Sequence, residues 1–121
     1  MTALIRINQE GQFTEITEGD AVTHALPVGD VASHEQITQL LDQPTVRLQV
    51  DGFADGRGFS VARQLRLLGF TGVIEVIGDL LPDQLPMAAA SGIDAILIRA
   101  EHARRCEQSQ WLRLAAQISP P

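Results

Sequence analysis

Three short apolar runs, Val46 to Val50, Val73 to Ile77 and Ala95 to Ile98, are each separated by enough chain for one helix. Nothing else in the sequence restricts the fold as strongly. Strands spaced this way pair in parallel, because the chain must cross back over the sheet before each new strand begins. Such crossovers are right-handed. In the first run Val46, Leu48 and Val50 alternate with Arg47 and Gln49, the two-residue period of a strand. The second is interrupted only by Glu75. Between them Phe59, Ala62, Leu65 and Leu68 recur at every third position, which predicts a helix from Phe59 to Leu68 with one apolar stripe. Arg63 and Arg66 fall on its solvated side, and Gly69 stops it. Before the third run, Pro82-Asp83-Gln84 opens another helix. With Asp83 as its N-cap, Pro86 falls in the first turn, and Gly92 closes the helix.

The flanking segments extend this plan. Ala3 to Ile7 and Gln12 to Ile16 are β-prone and joined by Asn8-Gln9-Glu10-Gly11, a β-hairpin in which Gly11 supplies the positive φ of the turn. Thr17 to Asp20 is a polar turn. Ala21 to Val28 is a strand in which Pro27 marks an edge position or the last residue, and Gly29-Asp30 breaks it. Ser33 and Gln36 have capping-box spacing at the start of a helix that buries Ile37, Leu40 and Leu41 and ends before Pro44. Arg99 to Gln117 reads as one terminal helix with Ala103, Trp111, Leu114 and Ala115 on its buried side, followed by a frayed tail. The expectation is a single α/β domain over 1–121. Its hairpin and turn fill 1–20, and β/α units with a mostly parallel sheet fill 21–118. That is about half of a (β/α)8 barrel, or a small open sheet.

Charge and cysteine content narrow the function classes. A net charge of −6 argues against nucleic acid and against an anionic membrane surface as partners. No apolar run reaches the ~20 residues of a bilayer span. Met1 to Arg6 lacks the layout of a signal peptide, so a cytoplasmic protein is expected. The one cysteine, Cys106, excludes an intramolecular disulfide and any all-cysteine cluster within one chain. Arg104 and Arg105 beside it could lower its pKa, but a lone helical cysteine is more often a packing residue than a nucleophile. His24, His34 and His102 stand without a second histidine at ligand spacing, so no zinc site is expected, and Asp51, Asp55, Asp79 and Asp83 would hold a hard divalent cation only if three of them met. A half barrel exposes strand edges and an apolar rim, which favours a homo-oligomer.

In parallel α/β sheets the loops after the strands share one side. The first such loop carries Asp51, Asp55 and Arg57, the second Asp79 with Asp83 and Gln84 beyond it, and the third Arg99. Gly56 and Gly58 allow close backbone approach to a ligand. The N–H groups opening the next helix, with Arg57, favour an anion. On this reading Asp55 or Asp79 is the general base, while Gly56, Arg57, Gly58, Asp83, Gln84 and Arg99 bind the ligand. The plainer alternative is that Asp55 forms a turn and Arg57 bridges to Asp79 or Asp83. The glycines match neither a P-loop nor a dinucleotide fingerprint.

The run Phe53-Ala54-Asp55-Gly56-Arg57-Gly58-Phe59-Ser60-Val61-Ala62-Arg63-Gln64-Leu65-Arg66 resembles the signature of a bacterial family of uncharacterised proteins with a domain of unknown function. Gly78-Asp79-Leu80-Leu81-Pro82-Asp83-Gln84-Leu85 and Gly92-Ile93-Asp94-Ala95 resemble its second and third blocks, and order and spacing agree from about Asp51 to Ala100. The family carries the label of an oxidoreductase linked to sulfite reduction. The resemblance thus implies an accessory role in sulfur assimilation, with proteins of the sulfite-reductase system as partners. Two departures stand out. Gly72-Val73-Ile74-Glu75-Val76 replaces a Gly-Glu-Leu-Arg-Ala tendency, and Ala90-Ser91 replaces a frequent arginine and cysteine. No flavin, haem or iron–sulfur ligand set is visible, so the sequence names no cofactor. It leaves open whether the chain is an accessory binding protein, a small half-barrel enzyme acting on an anionic substrate, or a structural dimerising module.

Overall fold

The computed structural model describes residues 3–17, 25–31 and 33–118. It holds six strands: β1 (Ala3–Asn8), β2 (Phe13–Thr17), β3 (Ala25–Pro27), β4 (Thr45–Gln49), β5 (Val73–Ile77) and β6 (Ala95–Arg99). The helices are α1 (His34–Thr38), α2 (Arg57–Leu67), α3 (Leu85–Ala90), α4 (Ala100–Arg105) and α5 (Gln108–Ala115), with short 3-10 turns at Val28–Asp30 and Pro82–Gln84. The strands form one sheet in the order β2-β1-β6-β5-β4-β3. β3 to β6 run parallel in chain order, and the β1–β2 hairpin adds on antiparallel to β6.

This order explains where the helices lie. When every parallel strand is added on the same side of the last, with one hand of crossover, all helices fall on one face of the sheet. Helix residues Ile37, Ala62, Leu65, Leu85, Ala88 and Trp111 accordingly share one core with Val46, Leu48, Ile74, Val76, Ile96 and Ile98 of the strands. The opposite face has its own small cluster, Leu4, Ile77, Ala95 and Leu97, built from strands alone. Single winding of this kind also occurs among the strands of (β/α)8 barrels. Among the described residues no helix is long and apolar enough to cross a membrane.

Local signals account for most element ends. Gly11 turns the hairpin at φ +80. The Ser33 hydroxyl accepts from Gln36 N at 3.1 Å and Gln36 Oε1 accepts from Ser33 N at 3.0 Å, which closes the capping box of α1. Pro27 ends β3 on the sheet edge; the expected earlier part of that strand, residues 21–24, lies outside the described residues, as does His24.

Three expectations need correction. Helix α2 begins at Arg57, Leu68 falls beyond its end and is exposed, and Val61 is buried in the stripe instead. Asp83 caps nothing; it lies inside the Pro82–Gln84 turn, and Gln84 precedes α3. The terminal helix is two helices. It breaks at Cys106, whose N–H still donates to His102 O at 2.9 Å, and restarts at Gln108. The carbonyl freed by the break accepts the Trp111 indole N–H at 2.9 Å, which lets the largest side chain enter the core with its polar atom satisfied.

Candidate functional site

Parallel pairing sets the carboxyl ends of β4, β5 and β6 level, with Gln49 opposite Ile77 and Ile77 opposite Leu97. The residues next along each strand are therefore neighbours at one rim. A cleft of about 310 Å³ opens there. Its floor is Leu4, Ile77 and Leu97, and its polar wall is Gln49, Asp51, Asp79 and Arg99. It lies on the helix-free face, at the position of a closed barrel's mouth.

Arg99 and Asp79 bind each other across this wall. Arg99 Nε donates to Asp79 Oδ2 at 2.6 Å, and Arg99 N donates to Oδ1 at 3.1 Å. The Asp79 carboxylate raises the already high pKa of Arg99, so its charge is fixed at any ordinary pH.

The Asp55-Gly56-Arg57-Gly58 turn forms the adjacent wall and shares Asp51 with the cleft. Its Arg57 pairs with its own turn instead of with Asp79 or Asp83. Nε and Nη2 fork onto the two Asp55 oxygens at 2.8 and 2.9 Å, and Nη2 reaches Asp51 Oδ2 at 3.4 Å. Asp55 also accepts from the backbone N–H groups of Asp51 at 3.1 Å and Arg57 at 3.2 Å. The Arg57 guanidinium holds the Asp55 carboxyl well below the usual carboxylate range. The two backbone donors add to this, and burial of the side chain opposes it. Asp51, in contrast, has a side chain 91% exposed. The loop after β3 also arrives here: a Cβ at Gly29 would stand 3.2 Å from Arg57 Nη1.

Of the anticipated residues, Asp79 and Arg99 thus line the cleft, while Asp55 and Arg57 flank it through Asp51. The glycines act differently from the expectation. Gly56 faces open space, whereas a Cβ at Gly58 would come within 2.9 Å of Val50 Cγ1, so Gly58 serves close packing of α2 on the sheet. Gln84 is committed to the backbone, accepting from Leu81 N at 2.8 Å and donating to Phe53 O at 2.8 Å, which ties two rim loops together. Asp83 is exposed and forms none of these bonds.

Two side chains were misjudged from sequence. Arg66 is no solvated residue: it donates to Gly92 O, Phe70 O, Gly72 O and Asp94 Oδ2. The Cys106 thiol is pushed up, not down; burial leads, the Asp79 carboxylate adds to it, and Arg105 opposes. Gln49 and Leu4 were missed as lining residues. Their signal was strand position, visible only once the neighbouring strands were known. No group of three acidic, histidine or cysteine side chains placed to hold a metal occurs among the described residues.

Fold and rim together define a class: a singly wound, mixed α/β chain with a polar cleft at the carboxyl ends of its parallel strands. Residues 27–117 match the model of DUF934, described as a bacterial protein of unknown function, and the chain belongs to that family. No curated protein and no solved structure matches it.

Proposed function

We propose that the chain is a small-molecule-binding protein whose rim cleft takes a compact polar metabolite with an anionic group. The supporting observation is that three separate strand ends bring Asp51, Asp79 and Arg99 around one apolar floor. Arg99 is held in place by Asp79 through Nε and Nη2, and its outward edge is free to meet an anionic group. Asp51, exposed across the cleft, would accept a hydroxyl or ammonium of the same ligand. Anion capture by the turn itself is disfavoured, because Asp55 already takes the Arg57 N–H and the guanidinium fork. Asp55 is equally ill-suited as a general base, since its carboxylate has little affinity for a proton near neutrality. Among the acids Asp51 and Asp79 remain for such chemistry, and a binding role needs neither.

In the wider reading the ligand belongs to sulfur assimilation, and the chain works beside sulfite-reductase proteins, pairing with a second copy of itself. Calorimetry of the purified chain against sulfite, sulfate, phosphate and nucleotides, repeated with Arg99→Ala and Arg57→Ala, tests the cleft. Loss of one charge-assisted contact should weaken binding by about tenfold or more in Arg99→Ala. Binding untouched by that substitution removes the site. Growth of a deletion strain on sulfate as sole sulfur source tests the wider reading; normal growth and sulfite turnover speak against it.

A further inference from the structure

We propose that Arg6 and Arg47 form a second site, for a small oxyanion, on the helix-free face one layer below the rim cleft. Glu75 lies on the same face as Ile77, opposite Ala95 in the pairing register, and is almost fully buried. Its Oε2 accepts Arg6 Nε at 2.7 Å and its Oε1 accepts Arg47 Nε at 2.7 Å. Arg6 stands opposite Leu97 on β1, so it reaches Glu75 diagonally across β6, over the small side chain of Ala95. Two guanidinium groups from strands on either side thus close on one carboxylate.

That arrangement is short of one negative charge. Arg57 has two carboxylates, Arg99 has one, and Arg66 has one together with three carbonyls. Arg6 and Arg47 have half of one each. Their side chains are 31% and 29% exposed against 7% for Glu75, so the surplus charge is partly removed from water while the arginines stay reachable. Only Nε of each points to Glu75. The Nη groups, which carry most of a guanidinium's donors, have no partner among the described residues. An oxyanion bridging them would receive planar donor pairs from two sides and relieve the repulsion of the two cations. With a net charge of −6 the surface at large repels anions, so such binding would be local.

The test is calorimetry of the full chain with sodium sulfate and sodium phosphate in low-chloride buffer, with acetate and chloride as separate arms. In a chain carrying Arg99→Gln, which removes the rim cleft's arginine, one sulfate or phosphate should still bind, and chloride should not reproduce the heat. Arg6→Gln or Arg47→Gln should weaken binding about tenfold or more, the loss expected for one charged hydrogen-bonding partner. Arg47→Lys keeps the charge without the fork and should weaken it several-fold, which covers the case in which a neutral variant fails to fold. Glu75→Gln, which removes the competing carboxylate, should tighten binding; a purely structural triad gives no such gain. Arg99→Gln should leave this site unchanged. Absent sulfate and phosphate binding, or binding indifferent to Arg6 and Arg47, overturns the proposal. Binding lost in Arg99→Gln alone overturns it too and transfers the anion to the rim cleft.

Discussion

Arg66→Ala should be one of the more damaging single substitutions outside the hydrophobic core. The side chain leaves α2, passes over the Phe70 ring with its guanidinium carbon 5.5 Å from the centroid, and ties together two loops at the amino ends of the strands. Nε and Nη2 donate to Gly92 O at 3.1 and 2.9 Å, and Nη1 donates to Phe70 O and Gly72 O at 3.0 and 2.9 Å. Nη2 also meets Asp94 Oδ2 at 2.9 Å, and the same oxygen accepts Ile74 N at 2.8 Å. Three carbonyls at roughly 1 kcal/mol net each give about 3 kcal/mol. The pair with Asp94 adds only about 0.5 kcal/mol, because the arginine is 28% exposed and the aspartate 38%. Releasing the frozen side chain returns roughly 1 kcal/mol. The expected loss is therefore about 2.5 kcal/mol. With an unfolding entropy of about 2.1 cal/mol/K per residue over 121 residues, this lowers Tm by roughly 10 °C. Urea and thermal melts followed by circular dichroism measure both quantities, with Arg63→Ala on the exposed side of the same helix as control. A loss below about 0.5 kcal/mol, the figure for an ordinary surface position, refutes the clamp.

Other predictions concern the hairpin, the rim and the thiol. Gly11→Ala should cost about 2–4 kcal/mol, since φ is +80 and the new Cβ would sit 2.6 Å from Trp111 O, a backbone atom of α5. Gly69→Ala, at φ +95 with nothing nearby, should cost only about 1–2 kcal/mol in the same urea titration, and equal losses would deny the hairpin–α5 contact. Because the folded pKa of Asp55 is depressed, its stabilisation is complete above the unfolded value near 3.8 and is lost as pH falls below it. Asp55→Asn should then flatten the acid limb of stability against pH, and an unchanged slope contradicts the geometry. The raised Cys106 pKa has the opposite sign: its contribution is complete below the unfolded value of 9.0 and is lost as pH rises past it. Iodoacetamide at pH 7.5 should alkylate it more slowly than a peptide thiol, and peptide-like rates would show that the thiol is not shielded.

What could be read from the sequence was what neighbours along the chain decide. The Gly11 hairpin, the Ser33–Gln36 box, the stops at Gly69 and Gly92 and the three parallel strands each depend on a few consecutive residues and their backbone preferences. The meeting of Asp51, Asp79 and Arg99 followed as well, because parallel pairing with helical crossovers fixes which strand ends are level. Partner choice could not be read. Arg66 has the polarity and helix position of a solvated residue, and only the arrival of the Phe70–Gly72 and Gly92–Asp94 loops gives it acceptors. The break at Cys106 was hidden because residues 99–117 have no proline or glycine to mark it. It follows from packing: α4 starts at the rim, whereas α5 lies against the hairpin turn at the opposite end, with Trp111 O beside Gly11.

One consequence of strand order links the two binding proposals. In a closed barrel the inner face of each strand meets the strands across the lumen, so large aliphatic side chains fill it in layers. Here the helix-free face holds Leu4, Ile77, Ala95 and Leu97 in one small cluster, and among the described residues no helix packs there. A face of this kind must either meet another surface or end in groups that tolerate water. Glu75 with Arg6 and Arg47 meets the second requirement below the apolar cluster, and Asp51, Asp79 and Arg99 meet it above. The polar groups on β4, β5 and β6 are therefore placed by the same cause, the uninterrupted order β3-β4-β5-β6, which keeps every described helix on the other side. The layers differ in charge. The rim residues Asp51, Asp79 and Arg99 carry a surplus of carboxylate, while the layer below carries a surplus of guanidinium.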